Sequence, residues 1–592
     1  MDMAKLLSHR GPDSQGCHFK DGFGVSHCRL AIIDSSSNSN QPMTNEYFTL
    51  VYNGEIYNWK ELRQEFGFDA AEVSSDTQLL FKILQIVNLK TIVPKLRGIF
   101  AFAFVDKKNG TTSLVRDRFG TKPIYSTYQN SVRYFSSEIK AFRDIPSLRL
   151  KLSIEGIRNY LTFQNNFSGG TIFEAVELLK PGTVTIIKHE NPEVLFVERL
   201  FPDFPKTETG LGVDEAREEV ARLLDQSITR NLVSDVEIGG FLSSGIDSSL
   251  IASYSSRSRS LFKTFTIGFQ TEAASSDEID FDESRNAKLF ADEIGVQNYS
   301  KMINERDMFE VLDAVSWTIE DPCVGQSYPN YFAAELASKS VRVCLAGTGG
   351  DEIFGGYPWR YDPVLRLENR SDQSRELLNF WHRLGSIDEI SALLGISSAE
   401  HEAESLRTIE TSLSQFTNAS ESLTLNDLLS FEQKTFLHGL LIVEDKISMR
   451  HSLEVRVPYL DEDLAKFASQ LPGALKYDFK PSQPKHEVTT TGKLNSRADG
   501  KMVLRDIAKT MIPSSASLRK QGFSAPDATW FKNDKEKMIQ DRLLNPQNEI
   551  WRYLNYEVGK TLINDHLEGR SNRRLLVWSL LTLESTIRQF EL

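Results

Sequence analysis

Distinct periodicities of apolar and polar residues divide the chain. From Val25 to about Phe142, short runs rich in β-branched and aromatic residues recur between Gly and Asn, as in FTLVYNGEIYN, GIFAFAFVD and TSLVRDRFG, and predict strands. Within them SDTQLLFKILQIV has helical spacing, with Ser75 or Asp76 placed to cap its start. More strands are predicted in LKPGTVTIIKHENPEVLFVERLF, so residues 1–201 read as an α+β layered domain. Residues 202–213, PDFPKTETGLG and its neighbours, have linker composition.

From 214 to 592 the pattern changes. Helices at 214–231, from Ser248, at 282–294 and at 328–340 alternate with the apolar runs EIGGFLS, FKTFTIGF and VRVCLAG. Such alternation predicts a parallel sheet with helices on both faces and ligands at the carboxyl ends of its strands. Residues 363–430 read as a charged helical insertion, and the chain stays mostly helical from 431 onward. KPSQPKHEVTTTGKLNSRADGK, around 480–500, has no apolar period and reads as a mobile loop.

Composition narrows the functional classes. With 592 residues, 40% hydrophobic and 25% charged, the chain is expected to fold as more than one ordinary globular domain. A net charge of -13 without long like-charge blocks argues against nucleic acid or anionic lipid as partners. No run reaches membrane-spanning length, and a cytoplasmic location is expected. Cys17, Cys28, Cys323 and Cys344 lack zinc-like spacing and stand among strand-like or apolar residues, so buried free thiols are expected.

Candidate chemistry begins at GGFLSSGIDSS. A buried strand ends in Leu242-Ser243-Ser244-Gly245, and Asp247-Ser248-Ser249 opens a helix. Small residues let N–H groups and hydroxyls approach a phosphate, and the helix start adds partial positive charge, so the segment reads as a pyrophosphate cradle. No Gly-Lys-Ser/Thr follows, which disfavours γ-phosphoryl transfer. Read alone, the segment is also a Ser-rich helix cap. A second turn, TGGDEIFGGYPWRY, follows VRVCLAG and puts Asp351 at the end of another predicted strand. Two such Asp residues on one sheet edge, Asp247 and Asp351, can share Mg²⁺ bridging ATP phosphates.

FLSSGIDSS, GTGGDEIFGGY, EDKISMRHSLEVRVPYLD and LRKQGFSAP stand in the order and approximate spacing of glutamine-dependent asparagine synthetases, which the chain resembles. HRGPDSQG, HCRLAIID, VYNGEIYN, SDTQLL, LRGIFAFAFVD and VRDRFGTKPIY are similar to that family's glutaminase domain. The resemblance implies an Ntn-type glutaminase-like domain and a PP-loop ATP pyrophosphatase (synthetase) domain. The second would adenylate the aspartate side chain with ATP and Mg²⁺, release pyrophosphate and transfer an amine. Leu242, Ile267, Ala346 and Gly347 would then contact adenosine, and Asp247 and Asp351 would hold Mg²⁺. Ser243, Gly245 and Ser248 would hold pyrophosphate, and Lys520 would contact phosphate and the acyl-adenylate. Arg29, Asn53, Gly54, Glu55 and Asp76 match the glutamine-binding residues, Asn53 and Gly54 supplying the oxyanion hole.

The resemblance has two departures. Thr348 stands where the family often carries an acid that assists at the intermediate, and a threonine cannot take a proton at neutral pH. Position 2 is Asp, and the family's leading Met-Cys-Gly-Ile strand has no counterpart, so the domain reads as N-terminally truncated. Cys17 and Cys28 lack the free α-amine that serves as base and cannot substitute. The expectation is a competent synthetase half, an impaired glutaminase half and small-molecule substrates (a carboxylic acid such as aspartate, and glutamine or ammonia). A homodimer is one assembly open to it. A relative acting on another carboxylic acid and amine, as β-lactam synthetases do, is the alternative; a non-catalytic scaffold would have no need of Asp247, Asp351 and Lys520 together.

Overall fold

The computed structural model describes residues 2–592 except 21, 166, 168, 260, 272–277, 279–280, 324, 326, 419–420, 479–499, 515–524 and 535–536. The loop expected around 480–500 and Lys520 therefore lie largely or wholly outside the described residues. In the N-terminal half, β1 (Ser14–Lys20) and β2 (Phe23–Arg29) form an antiparallel hairpin. Next come β3 (Met43–Thr44), β4 (Phe48–Ile56), β5 (Gly98–Asp106), β6 (Thr111–Arg116), β7 (Tyr125–Gln129), β8 (Val132–Ser136), β9 (Val176–Leu178), β10 (Thr183–Lys188) and β11 (Asn191–Arg199). A six-stranded sheet runs β11-β10-β6-β5-β4-β3, and a smaller one runs β8-β7-β9. The buried centre is β5, whose residues Ile99 to Val105 are all enclosed. The predicted helix spans Asp76–Ile83, and the Ser75 hydroxyl caps it by accepting from Gln78 N–H.

The C-terminal half is built on β12 (Ile238–Phe241), β13 (Lys263–Phe269), β14 (Gln297–Ile303), β15 (Val343–Leu345) and β16 (Glu454–Arg456), all parallel, in the order β14-β13-β12-β15-β16. β12 and β15 are neighbours in register, with Gly240 opposite Leu345. Their following loops therefore leave the same sheet edge side by side, which is what brings the two Asp-bearing turns together. β14 and β16 escaped the sequence reading. β14 is a sheet-edge strand of mixed polarity, and β16 has only three residues in a stretch read as helical.

Helices from 358 to 434 pack a second core in which Trp381, Ile409, Leu413 and Phe431 meet Phe163 of the N-terminal half. The helix Phe436–Arg450 is buried along most of its length. It joins the halves through a buried ion network. Asp445 accepts from Lys122 at 2.8 Å and from Arg10 at 2.7 Å, and Lys446 donates to Glu320 at 2.8 Å. Among the described residues no helix is long and apolar enough to cross a membrane.

All four cysteines are free, but the expectation that they are buried holds fully only for Cys344. Cys17 is exposed because the outer strand β1 alternates, and its side chain falls on the solvent face. Cys28 and Cys323 are half-buried.

Candidate active site

The turn after β12 is held in shape by its own hydroxyls. Ser243 N–H donates to Ser248 Oγ at 3.1 Å, Gly245 N–H donates to Ser243 Oγ at 3.0 Å, and the Ser249 hydroxyl donates to Gly245 O at 2.8 Å. Ser244 N–H donates to the Glu283 carboxylate at 3.2 Å, so an anionic oxygen already sits on one amide of the cradle. The helix Ile246–Ser258 starts immediately beyond and adds its N-terminal partial charge. Leu242 is buried, its N–H bonded to Phe265 O, and Ile267 is buried on β13.

The turn after β15 closes on this cradle. A Cβ at Gly347 would lie 2.9 Å from Asp247 Cβ, and one at Gly350 would lie 2.5 Å from Asp247 Oδ1, so glycine is required for the approach. Asp247 and Asp351 converge on one cation, the ammonium of Lys501. It lies 2.7 Å from Asp351 Oδ1 and bonds Asp247 Oδ2. Asp247 Oδ1 is enclosed and has no hydrogen-bond partner among the described residues. Burial holds the Lys501 ammonium below the usual lysine range, with Asp247 acting against that shift. Two carboxylates sharing a single cation position, one with an oxygen to spare, fit a divalent ion.

These turns, on a parallel sheet behind an N-terminal layered domain, define the family by sequence as well. The asparagine synthase family matches residues 219–588, and the glutamine amidotransferase domain family matches residues 1–196. The chain belongs to the asparagine synthase family. It is similar to asparagine synthetase [glutamine-hydrolyzing] 1 of Bacillus subtilis, 29% identical over 98% of this chain and 92% of that protein. It is 31% identical to putative asparagine synthetase [glutamine-hydrolyzing] 2 of Methanocaldococcus jannaschii over 65% of this chain and 76% of that protein. A putative asparagine synthetase [glutamine-hydrolyzing] of Mycobacterium bovis is 28% identical over 97% and 91%. The protein is an enzyme of the ATP-dependent amide ligase class, and its two halves have the glutaminase-like and parallel-sheet folds expected.

Within this asparagine synthase fold the residues expected to bind glutamine stand mostly on β4 and its surroundings. Asn53 and Glu55 alternate with Gly54 along the strand. Gly54 has φ +132°, and a Cβ there would lie 2.0 Å from Ile99 O. Asn53 Nδ2 and Glu55 Oε2 are enclosed without hydrogen-bond partners among the described residues, as polar groups awaiting a ligand would be. Asp76 accepts from Tyr52 Oη at 2.7 Å and from Thr77 N–H at 2.7 Å. Arg29 instead turns to its own loop, bonding Ser36 O at 2.7 Å and Asn40 Oδ1 at 2.9 Å. Burial, then the negative charges of Asp76 and Glu454, push the Glu55 carboxyl well above the usual range, and Arg456 opposes them.

Most of the ligase-half candidates read from the sequence stand on two neighbouring loops, with Ala346 bonded through its N–H to Arg456 O and Thr348 just beyond Gly347. The sequence reading missed Lys501 and Arg456. Lys501 caps the start of the Met502–Met511 helix, and its signal was the isolated DGK between a polar stretch of sequence and a strongly amphipathic run. Arg456 lay inside a quoted family motif without a role of its own.

Proposed function

We propose that the C-terminal half adenylates the side-chain carboxylate of aspartate with ATP and that ammonia displaces AMP to give the amide. The observation that carries this reading is the convergence of Asp247 and Asp351 on one cation position beside the small-residue cradle. Ser243, Ser244, Gly245, Ser248 and Ser249 hold the pyrophosphate end through N–H groups, hydroxyls and the helix start. Leu242 and Ile267, with the main chain at Ala346 and Gly347, enclose the adenosine. Asp247 and Asp351 would hold Mg²⁺, which when bound neutralises the phosphate oxygens as pyrophosphate departs. Lys501 supplies positive charge on the same side of the cradle, and Lys520 is proposed as a further phosphate contact.

Residues 1–201 form the glutamine-binding half, 202–213 the linker and 214–592 the ligase half, with 363–430 as its helical insertion. Asn53, Gly54, Glu55, Asp76 and Arg29 form the glutamine pocket. The names of the relatives favour aspartate over another carboxylic acid. Pyrophosphate exchange into ATP, measured across a panel of carboxylic acids, tests the reading: exchange that depends on aspartate is expected, and exchange indifferent to aspartate overturns it.

A further inference from the structure

Three successive N–H groups, those of Ser243, Ser244 and Gly245, line the turn after β12, and each is taken by an acceptor of the chain itself. Two of the acceptors are neutral hydroxyls inside the turn, Ser248 Oγ for Ser243 and Ser243 Oγ for Gly245. The third is an ion brought from another helix. Ser244 N–H donates to Glu283 Oε2 at 3.2 Å, across 39 positions. A run of main-chain N–H groups in a turn is a nest for an anion, and here a carboxylate stands in it.

Glu283 has a nearer use for its side chain and does not take it. It is the N-cap residue of the helix Ser284–Ile294, yet its side chain makes no cap hydrogen bond there. Asp282 does that work, accepting from Ser284 N–H at 3.2 Å and from Ser284 Oγ at 2.9 Å. Asp282 also accepts from Phe269 N–H at 3.3 Å, which ties the start of this helix to the end of β13. Glu283, the next residue, is thereby free of its own helix and delivered to the turn.

We propose that Glu283 is a displaceable occupant of the pyrophosphate cradle. Its carboxylate holds Ser244 N–H while the cradle is empty, gives it up when a pyrophosphate group enters, and returns as pyrophosphate leaves. This rests on the adenylating function proposed above and names the residue that governs release of its inorganic product.

One N–H hydrogen does not serve a carboxylate and a phosphate oxygen together with good geometry, and two anions that close repel each other. Binding of pyrophosphate therefore detaches a charge-assisted hydrogen bond, one of the stronger kinds. Its apparent affinity is lowered by the fraction of molecules in which Glu283 is away from the turn. Such competition suits this chemistry, because pyrophosphate that stays can attack the acyl-adenylate and re-form ATP. A carboxylate that reclaims the amide favours departure and leaves the adenylate for the amine.

The test titrates pyrophosphate with MgCl₂, and separately AMP, into the full-length chain by calorimetry. If neither wild type nor the variants bound pyrophosphate, the cradle reading would fall and this one with it. Where pyrophosphate binds, Glu283→Ala is expected to hold it about 10-fold more tightly than wild type does. Glu283→Gln, whose amide oxygen still accepts from Ser244 N–H but carries no charge, is expected to gain by a smaller factor. AMP does not need the Ser244 amide, so its affinity should keep the wild-type value in both variants. Pyrophosphate held no more tightly by either variant overturns the proposal while leaving the cradle reading in place. An equal gain for AMP also overturns it, since that marks a general effect of charge. Tighter binding is a gain that a damaged fold does not produce.

Discussion

The Lys501 ammonium lies 2.7 Å from Asp351 Oδ1, and this one lysine serves two carboxylates, since Asp247 bonds it as well. Lys501 is 4% exposed, whereas the two carboxylate side chains keep 15% and 22% of their exposure. Removing the charge leaves the carboxylates facing each other across a largely dry gap. Lys501→Met should therefore lower stability by about 3 kcal/mol, at the lower end for a broken buried pair because both acids retain some water. A divalent cation should restore what the lysine supplied. In thermal melts, MgCl₂ should raise the Tm of Lys501→Met more than that of wild type; equal responses would show that the ion and the ammonium do not share a position.

The close approach of the two turns gives a second expectation. Gly347→Ala would put a Cβ 2.9 Å from Asp247 Cβ and 3.2 Å from Ser248 N, neither at the end of a flexible side chain. The turn must shift, at a cost of about 1–3 kcal/mol. Because the shift falls on the proposed phosphate cradle, exchange of pyrophosphate into ATP should drop about 10²-fold or more. Gly210→Ala, with nothing within 4 Å of its added Cβ, is the control that should leave both quantities unchanged.

Much of this geometry was legible because its signals are local. FLSSG and GTGGD each end an apolar run, and alternation with helices puts such runs on one parallel sheet. What was hidden depends on partners distant in sequence. Lys501 meets Asp247 across 254 positions, and a lysine at the edge of a polar stretch of sequence ordinarily faces solvent. β16 is too short for periodicity and forms because β15 offers it an open edge, with Leu345 opposite Arg456. Cys17 was misread because the alternation that marks a strand does not say which face is wet.

Arg456 links the two halves. It is fully buried, bonds Glu454 at 2.8 Å and the Asn231 and Val233 carbonyls, and reaches to 3.9 Å from Glu55 in the proposed glutamine pocket. Among the groups around Glu55 it favours the ionised form. If Glu55 receives the ammonium of glutamine, affinity should rise with pH as Glu55 ionises. Arg456→Gln should push that rise to higher pH and weaken binding at pH 7 by about 10-fold, as one pKa unit implies. Arg456→Lys, keeping the charge, should move it less. Calorimetric titration with L-glutamine from pH 6 to 9 reads this directly, and identical profiles for the three proteins would separate Arg456 from the pocket.

The helical insertion should show a pH dependence traceable to His401. This residue is fully buried on the Ser398–Leu413 helix, with Nε2 2.7 Å from Thr162 Oγ1 of the N-terminal half and Nδ1 2.9 Å from Ser391 Oγ. Burial first, and then the Arg158 charge, push its pKa down to about 4. An unfolded histidine titrates near the ordinary value of about 6.5. Between those values unfolding takes up a proton that the folded site refuses, so the His401 contribution becomes less favourable as pH falls, by about 1.4 kcal/mol per pH unit. His401→Gln removes that proton while keeping a group that can donate and accept. It should be less stable than wild type at pH 7.5, and the gap should close by about 2 kcal/mol by pH 5. Hydrogen exchange across residues 398–413, followed in both proteins over this range, measures the local opening. Parallel profiles would mean that the folded site accepts the proton after all.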